Sequence, residues 1–221
     1  MRLSLNPASL ASYVQRQLEA FFPDPLPALL PPVVVDEALE RTARCFSAVR
    51  SRYFHQEGEA VFNHLNGDQY SMFLYLLSNA LYKNGGATPL CDKIFSLNKL
   101  LHGIDVFYEV ELPSIFLFCH PLGTVLGRAR YADYLLVNQN CTVGAARAAE
   151  DNRRGVYPTL GRHVSLYAGA SVLGACTIGD YCKIAAHSLI MNQDLAPGMV
   201  YMGTPQSSTV RRYPPPDNSW L

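Results

Sequence analysis

The sequence has no excess of charge of either sign: 18 Lys and Arg stand against 18 Asp and Glu in 221 residues. A neutral surface exerts no general pull on a phosphate backbone or an anionic bilayer, so no nucleic acid is expected as a partner. Long apolar runs are missing too. No stretch reaches the roughly 18 apolar residues that cross a bilayer, and the opening Met1–Pro7 has no apolar leader, so the expectation is a cytoplasmic protein with no membrane insertion. The six cysteines (Cys45, Cys91, Cys119, Cys141, Cys176, Cys182) form no CxxC pair and no metal-ligand spacing. They read as reduced thiols, most of them small buried hydrophobes, and no metal is expected.

What is present divides into two halves with different periods. In the first, Asn6-Pro7 forms an N-cap and first-turn pair, and Leu10, Val14 and Leu18 follow at helical spacing until Pro23. Five prolines between Pro23 and Pro32 make a stiff connection. A second helix is expected from near Asp36 with Leu39, Ala43, Phe46 and Val49 on one face. A third should cover Asp68 to Lys83 before Asn84-Gly85-Gly86, and a fourth Leu90 to His102 before Gly103. Their stripes, and His55, His64 and His102 among them, suit packing rather than chemistry.

After about residue 105 a period of six takes over. Leu160, Leu166, Val172, Ile178, Ile184 and Ile190 are spaced by six without a break. Four residues after each stands Val164, Ala170, Cys176, Cys182, Ser188 and Asp194, small until the last. The register extends upstream through Leu112, Phe118 and Thr124, then resumes one residue late at Tyr131, Val137 and Val143. Such a repeat suits a parallel β-helix of triangular section, with aliphatic residues stacked inside and small ones letting the chain turn. Ala145 to Thr159 breaks the register with five charged residues, as a solvated excursion loop would.

Residues 103–205 resemble the serine acetyltransferases and their hexapeptide-repeat relatives. His120-Pro121-Leu122-Gly123-Thr124-Val125-Leu126-Gly127 is similar to the H-x-x-G-x-V-x-G segment around that family's catalytic histidine. Gln139-Asn140-Cys141-Thr142-Val143-Gly144 and Met202-Gly203-Thr204-Pro205 resemble two further motifs. The resemblance implies an α+β chain in which an N-terminal α-helical domain (1–104) precedes a left-handed parallel β-helix (105–205) and a C-terminal tail (206–221). It further implies acetyl-CoA as acetyl donor, His120 as general base and Asp105 as the carboxylate that orients it. Ala145, Ala168 and Ala186 match positions whose backbone meets the pantetheine arm, Gly203 belongs to the closing turn near the adenine end, and Lys183, Arg211 and Arg212 are candidates for the phosphates.

Two departures bear on the acceptor. Cys119 stands where serine-specific members carry an aspartate, and Val156-Tyr157-Pro158 stands where they carry an arginine and a second histidine before proline. Losing those partners for serine's charged ends favours a sugar hydroxyl, from a polysaccharide or a nucleotide sugar, with Tyr157, Cys119 and Arg154 contacting it. Serine is the alternative acceptor, and a non-catalytic trimeric scaffold is the alternative of another class. His163 and His187 share a place within their repeats, but the third ligand of a zinc site is missing. A shared groove implies a homotrimer, and the helical half offers a means of pairing trimers.

Overall fold

The computed structural model describes residues 1–146, 156–213 and 220, and the chain divides into two units, Met1–Glu109 and Val110–Trp220. The first contains β1 (Arg2–Leu3), α1 (Pro7–Phe21), α2 (Pro32–Ser47), β2 (His55–Gln56), β3 (Glu59–Phe62), α3 (Gly67–Lys83) and α4 (Thr88–His102). Asn6 caps α1 by accepting the Ser9 N–H at 2.8 Å. Leu10, Val14 and Leu18 are its buried stripe. Helix α2 begins at Pro32, ahead of Asp36, because proline at the first turn gives up only an N–H that would have no helical partner. Every residue of α3 from Gln69 to Leu81 is buried, so this helix is the core of the unit. Gly103 ends α4 at φ 62, a left-handed cap that favours glycine. The small sheet, in the order β1-β3-β2, was not foreseen, because strands this short carry too little alternation. The proline-rich connection is tied down by Lys93, whose ammonium donates to Asp24 at 2.6 Å and to the Leu26 carbonyl at 3.1 Å. That ammonium holds the Asp24 carboxyl below the usual carboxylate range. Among the described residues no helix is long and apolar enough to cross a membrane.

The second unit is a left-handed parallel β-helix. Its first coil is β4 (Phe116–Phe118), β5 (Val125–Leu126) and β6 (Arg130–Tyr131); its second β7 (Leu135–Val137), β8 (Thr142–Gly144) and β9 (Thr159–Leu160). The third is β10 (Ser165–Leu166), β11 (Ser171–Leu173) and β12 (Thr177–Ile178), and the fourth β13 (Lys183–Ile184) and β14 (Leu189–Met191), with Leu195 bridged to Ile178. An antiparallel hairpin of β15 (Met199–Thr204) and β16 (Ser207–Arg212) closes it. The three faces are β4-β7-β10-β13-β15, β5-β8-β11-β14 and β6-β9-β12.

The six-residue period maps onto the interior. Phe118, Val137, Leu166, Ile184 and Tyr201 stack inside the first face, and Leu126, Val143, Val172 and Ile190 inside the second, all at most 1% exposed. Each such aliphatic side chain contributes about 1.5–3 kcal/mol on full burial. At the corners Val164, Ala170, Cys176, Cys182 and Ser188 are buried, as expected, and Asp194 is exposed. Burial pushes the Cys141 thiol up to about 11 and raises those of Cys176 and Cys182, so these cysteines are packing groups rather than nucleophiles.

One register assignment is corrected. Leu126, not Thr124, is the inward residue of the second face in the first coil, since Leu126 pairs with Val143. Thr124 falls instead at the small corner position, next to Cys141 of the coil beyond. The corner between them explains the slip and carries the candidate site.

Candidate active site

Phe118 pairs with Val137, and Val125 with Thr142. The corner from Phe118 to Val125 is therefore two residues longer than that from Val137 to Thr142, and the later ones from Leu166 to Ser171 and Ile184 to Leu189 match the shorter length. Each shorter corner has one left-handed residue, Asn140, Gly169 or His187, matched here by Gly123 at φ 73, and the longer corner adds a second, His120 at φ 51. The Leu122 N–H donates to the His120 carbonyl at 2.8 Å and the Thr124 N–H to the Pro121 carbonyl at 3.1 Å. Pro121 and Thr124 are buried while His120 is exposed, so the turn is rooted at two points and presents the imidazole to solvent. Gly123 is favoured by its left-handed backbone, and a Cβ there would also displace the Asn140 amide oxygen. Cys119 is half-buried, and its N–H donates to the Val137 carbonyl at 2.9 Å.

The small residues assigned to the cofactor are largely brought together. From the pairing of Leu166 with Ile184 and of Ile184 with Tyr201, Ala168, Ala186 and Gly203 occupy one column on successive coils, on the same corner as His120. Gly203 sits at φ 104, and a Cβ on it would strike the Ser207 carbonyl. Its N–H is taken by the Ser188 hydroxyl at 3.0 Å. Ala145 stands apart, on the corner that follows the second face. There an antiparallel bridge between Ala146 and Val156 joins the two ends of the excursion. The Lys183 ammonium lies 4.1 Å from the Tyr213 ring centroid, and Arg211 and Arg212 are exposed on β16. Tyr157 and Val156 are 42% and 43% exposed. Arg154, like most of the excursion, lies outside the described residues.

Asp105 belongs to the helical unit, where its carboxylate accepts from the Lys99 ammonium at 2.6 Å. His163 and His187 do not share a place in the coil. His163 is on the corner after the third face, whereas His187 is on the corner after the first, above Gly169, with its N–H on the Ala168 carbonyl at 2.8 Å. A separation of 24 residues is one and one-third turns of an 18-residue coil, which the six-residue pattern alone conceals.

The sequence does not single out Thr124 and Asn140, which shape the His120 turn, although both lie in the motifs that carry the resemblance. The signal was the single late residue at Tyr131, which marks a corner of unusual length.

The second unit is thus a left-handed coil of short parallel strands with a histidine on an enlarged corner beside a column of small residues. Residues 157–192 match the family model described as bacterial transferase hexapeptide (six repeats). The chain is 31% identical over 119 residues to a serine acetyltransferase of Synechococcus elongatus, covering 53% of this chain and 47% of that protein. A serine acetyltransferase of Helicobacter pylori (strain 26695) is 27% identical over 136 residues, covering 61% of this chain and 77% of its own. The solved serine acetyltransferase of Vibrio cholerae shares the fold with a TM-score of 0.70 at 18% identity, covering 96% of this chain and 81% of that one. The chain thus spans about half the length of the Synechococcus relative it matches. It is similar to serine acetyltransferases in the repeat region and in fold.

Proposed function

We propose that the protein is an acetyl-CoA-dependent O-acetyltransferase with serine, or a close hydroxy amino acid, as acceptor. The observation that carries this reading is the exposed imidazole of His120 on its enlarged corner, on the edge that also holds Ala168, Ala186 and Gly203. His120 takes the proton of the acceptor hydroxyl as its oxygen bonds to the thioester carbon; the carbon–sulfur bond then breaks, and the thiolate leaves and is reprotonated. Histidine suits this step because its ordinary pKa lies near neutrality, and such assistance is worth about 10²- to 10⁴-fold. The name shared by the relatives supports serine better than the carbohydrate hydroxyl expected from the sequence.

A second reading, a carbohydrate hydroxyl, is favoured by Cys119, Val156 and Tyr157, which cannot neutralise serine's carboxylate and ammonium. The deciding experiment compares kcat/KM for L-serine with that for nucleotide sugars and oligosaccharides at saturating acetyl-CoA, with detection of the acetylated product by mass. Serine ahead by tenfold or more, about 1.4 kcal/mol, establishes the first reading. A carbohydrate ahead by that margin establishes the second, and transfer to neither defeats both and returns the chain to a scaffold.

The working unit in this proposal is a homotrimer. Within one chain His120 and Tyr157 sit on corners at opposite ends of the second face, roughly five residues or about 15 Å apart. A small acceptor cannot touch both unless a second copy supplies one of them.

A further inference from the structure

We propose that Thr124 is the positioning residue for His120, a proposal that rests on His120 being the base. The corner that carries His120 has two residues more than its counterparts, and a longer turn has more ways to settle. Thr124 is the point at which it is fastened to the next coil. Fully buried, it donates its hydroxyl to the Asn138 carbonyl at 2.9 Å and accepts the Cys141 N–H at 3.3 Å. It thus bridges the two ends of the shorter corner stacked against it. Asn138 is itself anchored, through its side-chain amide, to the Leu166 carbonyl at 2.9 Å, so the clamp is continuous with the third coil. The Asn140 N–H, bonded to the Leu122 carbonyl at 2.9 Å, makes the second fastening.

At the equivalent corner positions of the next three coils, the Cys141 thiol donates to the Tyr167 carbonyl at 3.2 Å, Ala170 only fills space, and the Ser188 hydroxyl takes the Gly203 N–H at 3.0 Å. Thr124 does more than these: its hydroxyl holds both ends of the stacked corner, donating to one and accepting from the other. A displacement of about 1 Å at a catalytic group costs on the order of 10²-fold in rate. A loosened corner should accordingly lower turnover and leave affinity for the donor, whose column lies on later coils, nearly unchanged.

The test compares Thr124→Val, which keeps the shape and removes the hydroxyl, with Thr124→Ser, which keeps the hydroxyl. The expected result is a kcat lower by about tenfold or more in Thr124→Val with the KM for acetyl-CoA within about twofold, and recovery in Thr124→Ser to within about threefold. The His120 ring proton signal in NMR, assigned by its loss in His120→Ala, should move or broaden in Thr124→Val and return in Thr124→Ser, while the His163 and His187 signals stay in place. If Thr124→Val does not fold, Thr124→Ala, the residue that the third coil carries at this place, makes the same comparison. A hydroxyl-free variant with wild-type kcat overturns the proposal, whether or not the ring signal moves. Full turnover in His120→Ala would instead remove the base reading, an outcome distinct from any result at Thr124.

Discussion

His163 lies face to face on Tyr134, with ring centroids 4.2 Å apart and planes 3° from parallel. Tyr181 covers the other face of the imidazole at 4.6 Å and 7°. The spacing is set by the coil itself, whose neighbouring strands lie about 4.8 Å apart. All three residues are in the left-handed region, at φ 66, 57 and 59, which costs a side chain about 1–2 kcal/mol each. Stacking at about 0.5–1.5 kcal/mol per pair offsets part of that. His163→Gly removes the stack and relieves the backbone, whereas His163→Ala removes the stack and keeps the strain. Thermal unfolding should therefore rank wild type above His163→Gly and His163→Gly above His163→Ala. An alanine variant as stable as the glycine variant would show that strain is not the reason.

His102 gives the helical unit a pH dependence. Burial holds its imidazole down to about 4, and the ring lies edge-on to Tyr70 with Nδ1 2.8 Å from the Asn98 side-chain oxygen. The Asn98 amide nitrogen donates to the Ser71 carbonyl at 2.9 Å, so its oxygen faces the ring and Nδ1 carries the proton. The unfolded chain protonates this histidine near 6.5 and the folded one only near 4. Between those values the unfolded state binds the extra proton, so stability falls as pH drops from about 6.5 to 4. Allowing for partial exposure, the loss is on the order of 2 kcal/mol. Urea unfolding from pH 7 to 4.5 should show a shallower decline in His102→Gln than in wild type; parallel curves would remove His102 as the cause.

The catalytic assignment predicts a specific pattern of kinetic loss. His120→Ala should lower kcat by at least about 10²-fold with acetyl-CoA binding nearly intact, because a base acts in the transition state and not in the ground state. Asp105→Asn should act in the same direction and less strongly. Its carboxylate is already shared with Lys99, so Lys99→Met should change turnover as well if that carboxylate serves the imidazole. Near-normal turnover in His120→Ala would end the assignment.

The coil was legible in the sequence because a solenoid repeats one physical requirement every six residues: Leu160 through Ile190 each fill the same kind of interior site. Helices α1, α3 and α4 were legible from stripes and caps for a similar reason. What a period cannot encode is its own interruption. The extra length at His120 appeared only as a late residue at Tyr131, and it moved Thr124 from an apparent interior position to a corner. The apparent equivalence of His163 and His187 failed on the same point. A six-residue count gives the place within a repeat but not which of the three corners is meant, and the hydrogen bonds between coils are needed to tell them apart.

The second face supplies the last prediction. Alternation along its strands points Val125, Thr142, Ser171 and Leu189 outward in one row and Gly144, Leu173 and Met191 in the next, and none of these residues is charged. Val125 is 41% and Met191 38% exposed. A flat, charge-free, partly apolar sheet face at the surface of a chain with 36 charged residues is where a further copy is expected to pack. The corners at either end of this face carry His120 and Tyr157, so packing here would also assemble the acceptor site from two chains. A lysine at the centre of such a contact must be desolvated without a partner, which costs several kcal/mol, and three-fold symmetry repeats that penalty at every interface. Met191→Lys combined with Val125→Lys should therefore convert a trimer of wild-type mass into monomer in light scattering at micromolar concentration. Acetyl transfer should fall in parallel, and circular dichroism should remain that of the folded coil. A wild-type protein that is monomeric under the same conditions would defeat the trimer and the shared acceptor site together.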